Sequence, residues 1–143
     1  MIPEGRYAGR RFRVDRQPFS GLLFDAIDSR QWSRIAVLGC VQSGKSLCAF
    51  VSPTLYHLCE WGETAVIGVP TMDLAADKWR KEIRPALART RYANLIPDTG
   101  VGSRGGTFES IELRNGATLK FMSGHGGDEK QSSFTARVAI ATE

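Results

Sequence analysis

The sequence lacks several features that would assign it to a class at once. Its 143 residues contain no run of about 18 apolar residues, the length that a membrane-spanning helix needs. The first 16 residues carry five arginines and no apolar core, which excludes a secretory signal. The three cysteines, Cys40, Cys48 and Cys59, lack the spacing of a metal site, so we expect small buried side chains in a reducing compartment. These absences predict a cytoplasmic protein without a membrane partner.

Charge is unevenly distributed along the chain. Nineteen Lys and Arg residues against 15 Asp and Glu give a net charge of +4. Residues 1–16 hold five basic and two acidic residues, a surplus of +3, and residues 78–91 hold six basic and one acidic residue, a surplus of +5. Basic segments of this kind suit a polyanion such as nucleic acid, although two solvated faces would explain them as well. We divide the chain into a basic N-terminal arm, 1–16, and a domain, 17–143.

Apolar runs alternate with helical patterns after the arm. A helix is predicted over 17–30, a second from Gly44 towards Gly62 with a kink at Pro53, and a third after Thr71 that Pro85 ends or kinks. Apolar strands are predicted at 34–39, 64–69 and 136–141, and Asn115-Gly116 predicts a hairpin between 110–113 and 117–122. Alternating strands and helices predict an α/β fold with a mainly parallel central sheet plus this hairpin. Because the sequence stops directly after a strand, we expect an incomplete domain.

Residues 39–46 match the phosphate-binding pattern G-x4-G-K-[ST] in full, between a predicted strand and a predicted helix. Gly39 and Gly44 allow the backbone to form a nest of N–H groups, and the helix N-terminus adds positive potential. Lys45 is predicted to reach the β- and γ-phosphates, and Ser46 to ligate Mg²⁺. The predicted nucleotide-binding residues here are Gly39, Cys40, Val41, Gln42, Ser43, Gly44, Lys45 and Ser46.

Hydrolysis needs a second motif, and residues 138–143 are the candidate because an apolar strand there ends in Thr142 and Glu143. Glu143 is predicted to polarise the attacking water, which makes it catalytic together with Lys45. The alternative is that Glu143 is merely a charged residue after a strand. Thr142 stands where an Asp usually holds Mg²⁺ through water; its hydroxyl supplies no charge, so metal affinity should be weaker unless another carboxylate helps. These motifs predict a Mg²⁺-dependent ATPase with ATP and Mg²⁺ as cofactors.

A further apolar strand, 64–69, lies between the two motifs in sequence. This order is compatible with the inserted central strand of RecA-like (ASCE) P-loop NTPases rather than with small kinases.

Four segments together carry a resemblance to a known family. They are R-Q-P-F at 16–19, V-L-G-C-V-Q-S-G-K-S at 37–46, V-P-T-M-D-L-A-A-D-K-W at 69–79, and L-K-F-M-S-G at 119–124, and residues 132–143 follow them. From about residue 10 onward the chain resembles the N-terminal part of the ATPase domain of the large terminase subunit of tailed phages, in its GpA-like branch.

The resemblance implies a motor that couples ATP hydrolysis to the pumping of double-stranded viral DNA into a procapsid. It implies a homo-oligomeric ring on the portal in the bacterial host cytoplasm, and a small terminase subunit as partner. Gln17 and Phe19 fall where the adenine is contacted, although Phe19 suits core packing equally well. Arg137 matches a family arginine, whereas Phe134 and Thr142 depart from the family pattern. A downstream endonuclease domain is implied for the full-length protein and is absent from these residues.

Two other functions stay open at this level. One is a different P-loop enzyme, either a helicase-like ATPase or a small kinase. The other is a nucleotide-binding module with weak catalysis, which the neutral Thr142 favours.

Overall fold

The computed structural model describes residue 2 and residues 6–98, 110–124 and 135–142. Within these ranges the chain forms three long helical stretches and a four-stranded sheet. Helix α1 spans Pro18–Asp28, α2 spans 46–60 and α3 spans 72–88. The strands are β1 Ala65–Val69, β2 Ser110–Glu112, β3 Thr118–Ser123 and β4 Val138–Ala141, and short 3-10 helices span Val14–Arg16 and Ala93–Leu95.

The sheet has the strand order β2-β3-β1-β4. Strand β1 pairs in parallel with both β3 and β4, and β2 pairs antiparallel with β3. The predicted α/β fold with a mostly parallel sheet and one hairpin is therefore confirmed. The register sets Ala65 and Ile67 beside Leu119 and Phe121 on one face of the sheet, where all four side chains are buried.

The strand predicted at 34–39 is absent from this sheet, so that prediction was wrong. Residues 34–39 are extended, unpaired and exposed; Leu38 is 96% exposed. An apolar run predicts a strand only if a neighbouring strand accepts its backbone hydrogen bonds, and here the backbone pairs with water instead. Strand β4 consequently ends the sheet among the described residues.

The hairpin forms where Asn115-Gly116 predicted it. Gly116 has a φ of +83°, which only glycine adopts without strain, and Leu113 N–H donates to Ala117 O at 2.9 Å. The Asn115 side chain also donates to Leu58 O at 2.8 Å, so the turn is tied to the end of α2 as well as to its own strands.

Both internal prolines lie within continuous helical stretches. In α2, π-helical turns over Ser46–Val51 precede the α-helical turn Ser52–Leu55 that contains Pro53, and Tyr56–Glu60 is π-helical again. In α3, Lys78–Ile83 is π-helical before Arg84–Ala88, which contains Pro85. The wider turns make room for a ring that has no N–H to donate. The prolines thus widen these helices without ending them.

The core lies between the sheet and helices α2 and α3. Its largest fully buried side chain is Trp79 of α3, packed with Leu58, Ile83 and Leu87. At the start of α3, Thr71 Oγ1 accepts a hydrogen bond from Leu74 N–H at 3.3 Å, as predicted for a cap. Cys48 is buried and Cys59 is partly buried, whereas Cys40 is exposed, because it lies in a surface loop that no element covers. No helix in the described part of the chain is both long and apolar enough to cross a membrane.

Replacing the buried Leu119 by alanine should lower the free energy of unfolding by about 2–5 kcal/mol, because a core cavity adds to the lost hydrophobic transfer energy. Urea unfolding followed by circular dichroism measures this change. The matched control is Leu22→Ala on α1, where the side chain is 75% exposed and the expected change is within about 0.5 kcal/mol. Equal effects of the two substitutions would contradict this core assignment.

Candidate functional site

The predicted phosphate loop folds as a tight surface turn leading into α2. Gln42 and Gly44 have positive φ values of 62° and 83°. Ser43 N–H donates to Cys40 O at 3.4 Å, and Cys48 N–H donates to Gly44 O at 3.0 Å as the helix begins. A Cβ at Gly44 would lie 3.0 Å from Gln17 Nε2, so both backbone conformation and close packing require glycine there.

Lys45 bridges the loop with its side chain. Its Nζ donates to Gly39 O at 2.6 Å, which joins the first residue of the loop to the residue that opens the helix. A Cβ at Gly39 would lie only 3.3 Å from Lys45 Cδ, so a side chain there would press on the lysine. The ammonium group therefore lies over the loop, next to a helix N-terminus whose first N–H groups have no partner within the helix. This arrangement favours an anion.

Gln17 contacts the loop directly. Its Nε2 donates to Ser43 O at 3.5 Å, and its Oε1 accepts from Cys48 Sγ at 3.6 Å. The structure therefore brings Gln17 to the loop residues, as the sequence prediction requires for a shared site. Phe19, two residues later on α1, is half exposed, and its predicted contact with adenine stays a prediction.

A groove of about 1080 Å³ runs beside the loop. Its walls are the exposed edge of β4, one face each of α1 and α2, and residues 32–37. Lys45, Ser46 and Thr142 all line it. The groove therefore joins the phosphate motif to the predicted second motif, although the two are far apart in sequence.

Two hydroxyl oxygens at this site are buried without a hydrogen-bond partner among the described residues: Ser43 Oγ and Thr142 Oγ1. The position of Thr142 is fixed by its N–H, which donates to Gly68 O at 3.0 Å where β4 ends. Buried hydroxyls left unpaired are costly, and a bound ligand or water satisfies them in most sites. The donors at this site, namely N–H groups, an ammonium group and hydroxyls, fit a phosphate with its Mg²⁺ ion.

Glu143, the predicted general base, lies outside the described residues. In the described ranges no group of three or more His, Cys, Asp or Glu side chains could hold a metal ion by itself. Ser46 and Thr142 are thus the predicted ligands that the structure describes near the loop. Mg²⁺ often binds in this way, with few protein ligands and with phosphate oxygens completing its shell.

An ion-pair cluster that sequence reasoning missed is centred on Glu63, at the start of β1. The carboxylate contacts His57 Nδ1 at 2.7 Å, Arg30 at 3.4 Å and Arg137 Nε at 3.6 Å. The Arg30 guanidinium also stacks on Trp61, 3.7 Å from the ring centre. These groups are far apart in sequence, so no local pattern identifies them. Arg137, matched by resemblance to a family arginine, is thus bound to Glu63 and lies before β4, whereas Thr142 follows it.

The basic segment 78–91 is partly neutralised in the fold. Lys78 pairs with Glu82, Lys81 pairs with Asp77, and Arg91 pairs with Glu60, each at 2.7 Å. Asp77 and Glu60 lie outside the segment, so its surplus of +5 falls to +3 when they are counted (5 − 2 = 3). A basic surface therefore persists here, but it is weaker than the sequence count predicts.

Comparisons of the chain with protein-family models, with curated proteins and with solved structures find no match. A functional assignment therefore depends on the motif, the geometry of the loop and the groove beside it.

Replacing Glu63 by glutamine should destabilise the protein at neutral pH, and the loss should shrink in acid. Burial opposes ionisation of Glu63, but the hydrogen bond with His57 and the charges of Arg30 and Arg137 outweigh it, so its pKa lies below the ordinary 4.5. A lowered pKa stabilises the folded state above about pH 4.5, and that contribution disappears as the pH falls through the folded-state pKa. Urea midpoints of both proteins between pH 7 and pH 3 measure this, and a constant difference would contradict it.

Proposed function

We propose that this chain binds and hydrolyses ATP with Mg²⁺ as a RecA-like P-loop NTPase. The observation that carries the proposal is the loop 39–46: a complete G-x4-G-K-S motif at a helix N-terminus, bridged by Lys45, beside a groove that contains an unpaired Thr142 hydroxyl. A generic glycine turn has no reason to bring these groups together.

Each residue has a proposed role that follows from its chemistry. The loop N–H groups bind phosphate oxygens, Lys45 exchanges its bond to Gly39 O for one to the β- and γ-phosphates, and Ser46 ligates Mg²⁺. Gln17 orients the loop through Ser43 and contacts the adenine edge, with Phe19 as the accessible aromatic face. Bound MgATP supplies the reactive phosphoanhydride. Glu143 is the proposed base, and Thr142 the proposed water-mediated ligand.

The proposal extends to the motor portion of a viral DNA-packaging terminase large subunit, which drives DNA into a procapsid. Support comes from the sequence resemblance and from the exposed arginines Arg84 and Arg91 on the basic segment, which suit contacts to DNA phosphates. The proposed partners are double-stranded DNA, further copies in a ring at the portal and a small terminase subunit, in the host cytoplasm. Duplex DNA should therefore raise the rate of ATP hydrolysis, most of all at low salt.

The second candidate is a module that binds a nucleotide without efficient turnover. Its support is specific: the side chain that follows β4 into the groove is the neutral Thr142. A hydroxyl adds no negative charge to hold Mg²⁺, so binding can persist where catalysis is slow.

Replacing Lys45 by alanine should weaken ATP binding by about 10- to 100-fold, because a hydrogen bond to a charged group contributes about 1.5–3 kcal/mol. Isothermal titration calorimetry with MgATP measures the affinity. Lys81→Ala is the matched control, since Lys81 is exposed and pairs with Asp77 on α3. Equal affinities of the Lys45 and Lys81 variants would overturn the proposed site.

Replacing Thr142 by aspartate should lower the Mg²⁺ concentration needed for half-maximal ATP binding, because it adds a negative charge beside the phosphate loop. Thr142→Asn is the neutral control and should leave that concentration nearly unchanged. Phosphate release then separates the two candidates. Turnover by the native chain favours the ATPase, whereas binding without turnover that Thr142→Asp restores favours the module.

A further inference from the structure

The outer edge of β4 offers backbone hydrogen-bonding groups to the groove. Arg137 N–H donates to Thr64 O on the side of β1. Because N–H and C=O groups alternate in direction along a parallel strand, those of Val138 and Ile140 face the opposite way, into the groove. In the described residues no strand pairs with this edge. An unpaired edge of this kind accepts a further strand.

Residues 34–39 have the composition and location of that further strand. They read R-I-A-V-L-G, and Arg34, Ile35 and Val37 line the same groove as β4. Ile35 is 43% and Val37 40% exposed, so their apolar side chains are only partly covered. Six residues are enough to pair along the four residues of β4. Residues 34–39 are therefore the candidate occupant, and no external partner is needed.

The direction of the chain also suits this pairing. Residues 34–39 lead through the phosphate loop into α2 and then into β1, which is parallel to β4. A strand, helix and parallel strand in this order form the ordinary crossover unit of parallel sheets. Residues 34–39 would then lie beside β4 as a parallel edge strand.

The phosphate loop is directly attached to this segment. Gly39 is both the last residue of the segment and the residue whose carbonyl accepts from Lys45. If a phosphate fixes the loop, the end of the segment is fixed with it, so pairing with β4 costs less chain entropy. Transfer of Lys45 to the phosphate would also release the Gly39 carbonyl.

We propose that residues 34–39 pair with the free edge of β4 as a fifth strand when phosphate groups of a nucleotide bind the loop. The inference rests on the proposed nucleotide binding and adds a conformational response to it. The ligand shifts the segment from its exposed position to a paired one because it binds more tightly to a loop whose preceding strand is in place. The groove is thereby closed along β4.

Amide hydrogen exchange at Val138 and Ile140 tests the proposal, with Mg²⁺ and a non-hydrolysable ATP analogue on the full chain. Calorimetry on the same samples measures binding. We expect binding to slow exchange at both amides at least 10-fold. Binding without slower exchange would overturn the fifth strand alone, and absence of binding would overturn the proposed function and the inference with it.

Two adjacent proline substitutions distinguish strand pairing from general ordering of the loop. In an edge strand, alternate N–H groups face the neighbouring strand, and proline is tolerated only where the N–H faces solvent. One of Ala36→Pro and Val37→Pro should therefore abolish the slower exchange at Val138 and Ile140, while the other retains it. Equal behaviour of the two variants would overturn the pairing. Slower exchange that grows with protein concentration would also overturn it, because a second copy would then be the occupant.

Discussion

The structure depends on the pairing of β1 with a parallel strand on each side. Ala65 and Ile67 of β1 are fully buried, so their backbone groups have no access to water and must bond to β3 and β4. This requirement brings together segments that lie more than 50 residues apart in sequence, and it fixes where each neighbouring strand begins and ends. Trp79 and Leu58 then pack as parts of the cover on this sheet.

The same pairing determines the two ends of the groove. At one end Arg137 N–H bonds to Thr64 O, which brings Arg137 beside Glu63; at the other, Thr142 N–H bonds to Gly68 O. The ends differ in chemistry. The Glu63 cluster is a satisfied set of ion pairs, whereas the end near Lys45 has unpaired hydroxyls and a cation bonded only to a loop carbonyl. A ligand therefore has more to gain at the loop.

Local patterns account for the elements that sequence reasoning predicted correctly. The hairpin follows from Asn115-Gly116, the start of α3 from Thr71, and β1 from a short apolar run bounded by Pro70. The fold of 39–46 also follows from local requirements, since Gly44 supplies a positive φ and Lys45 is near enough to return to Gly39. In each case the interactions that stabilise the element involve residues close together in sequence.

The predictions that failed concern interactions between distant residues. Residues 34–39 have a strand-like sequence, but pairing needs a partner edge, and the structure leaves them beside β4 without a ladder. The charge of 78–91 is reduced by Glu60, which lies on another helix.

By itself the sequence determined the phosphate-loop motif, the hairpin and the order of most elements, because neighbouring residues encode them. Only the tertiary structure decided that Gln17 contacts the loop, that Glu63 gathers three cationic or ionisable partners, and that Thr142 shares a groove with Lys45. These contacts arise when strands and helices pack, and no spacing along the chain specifies them.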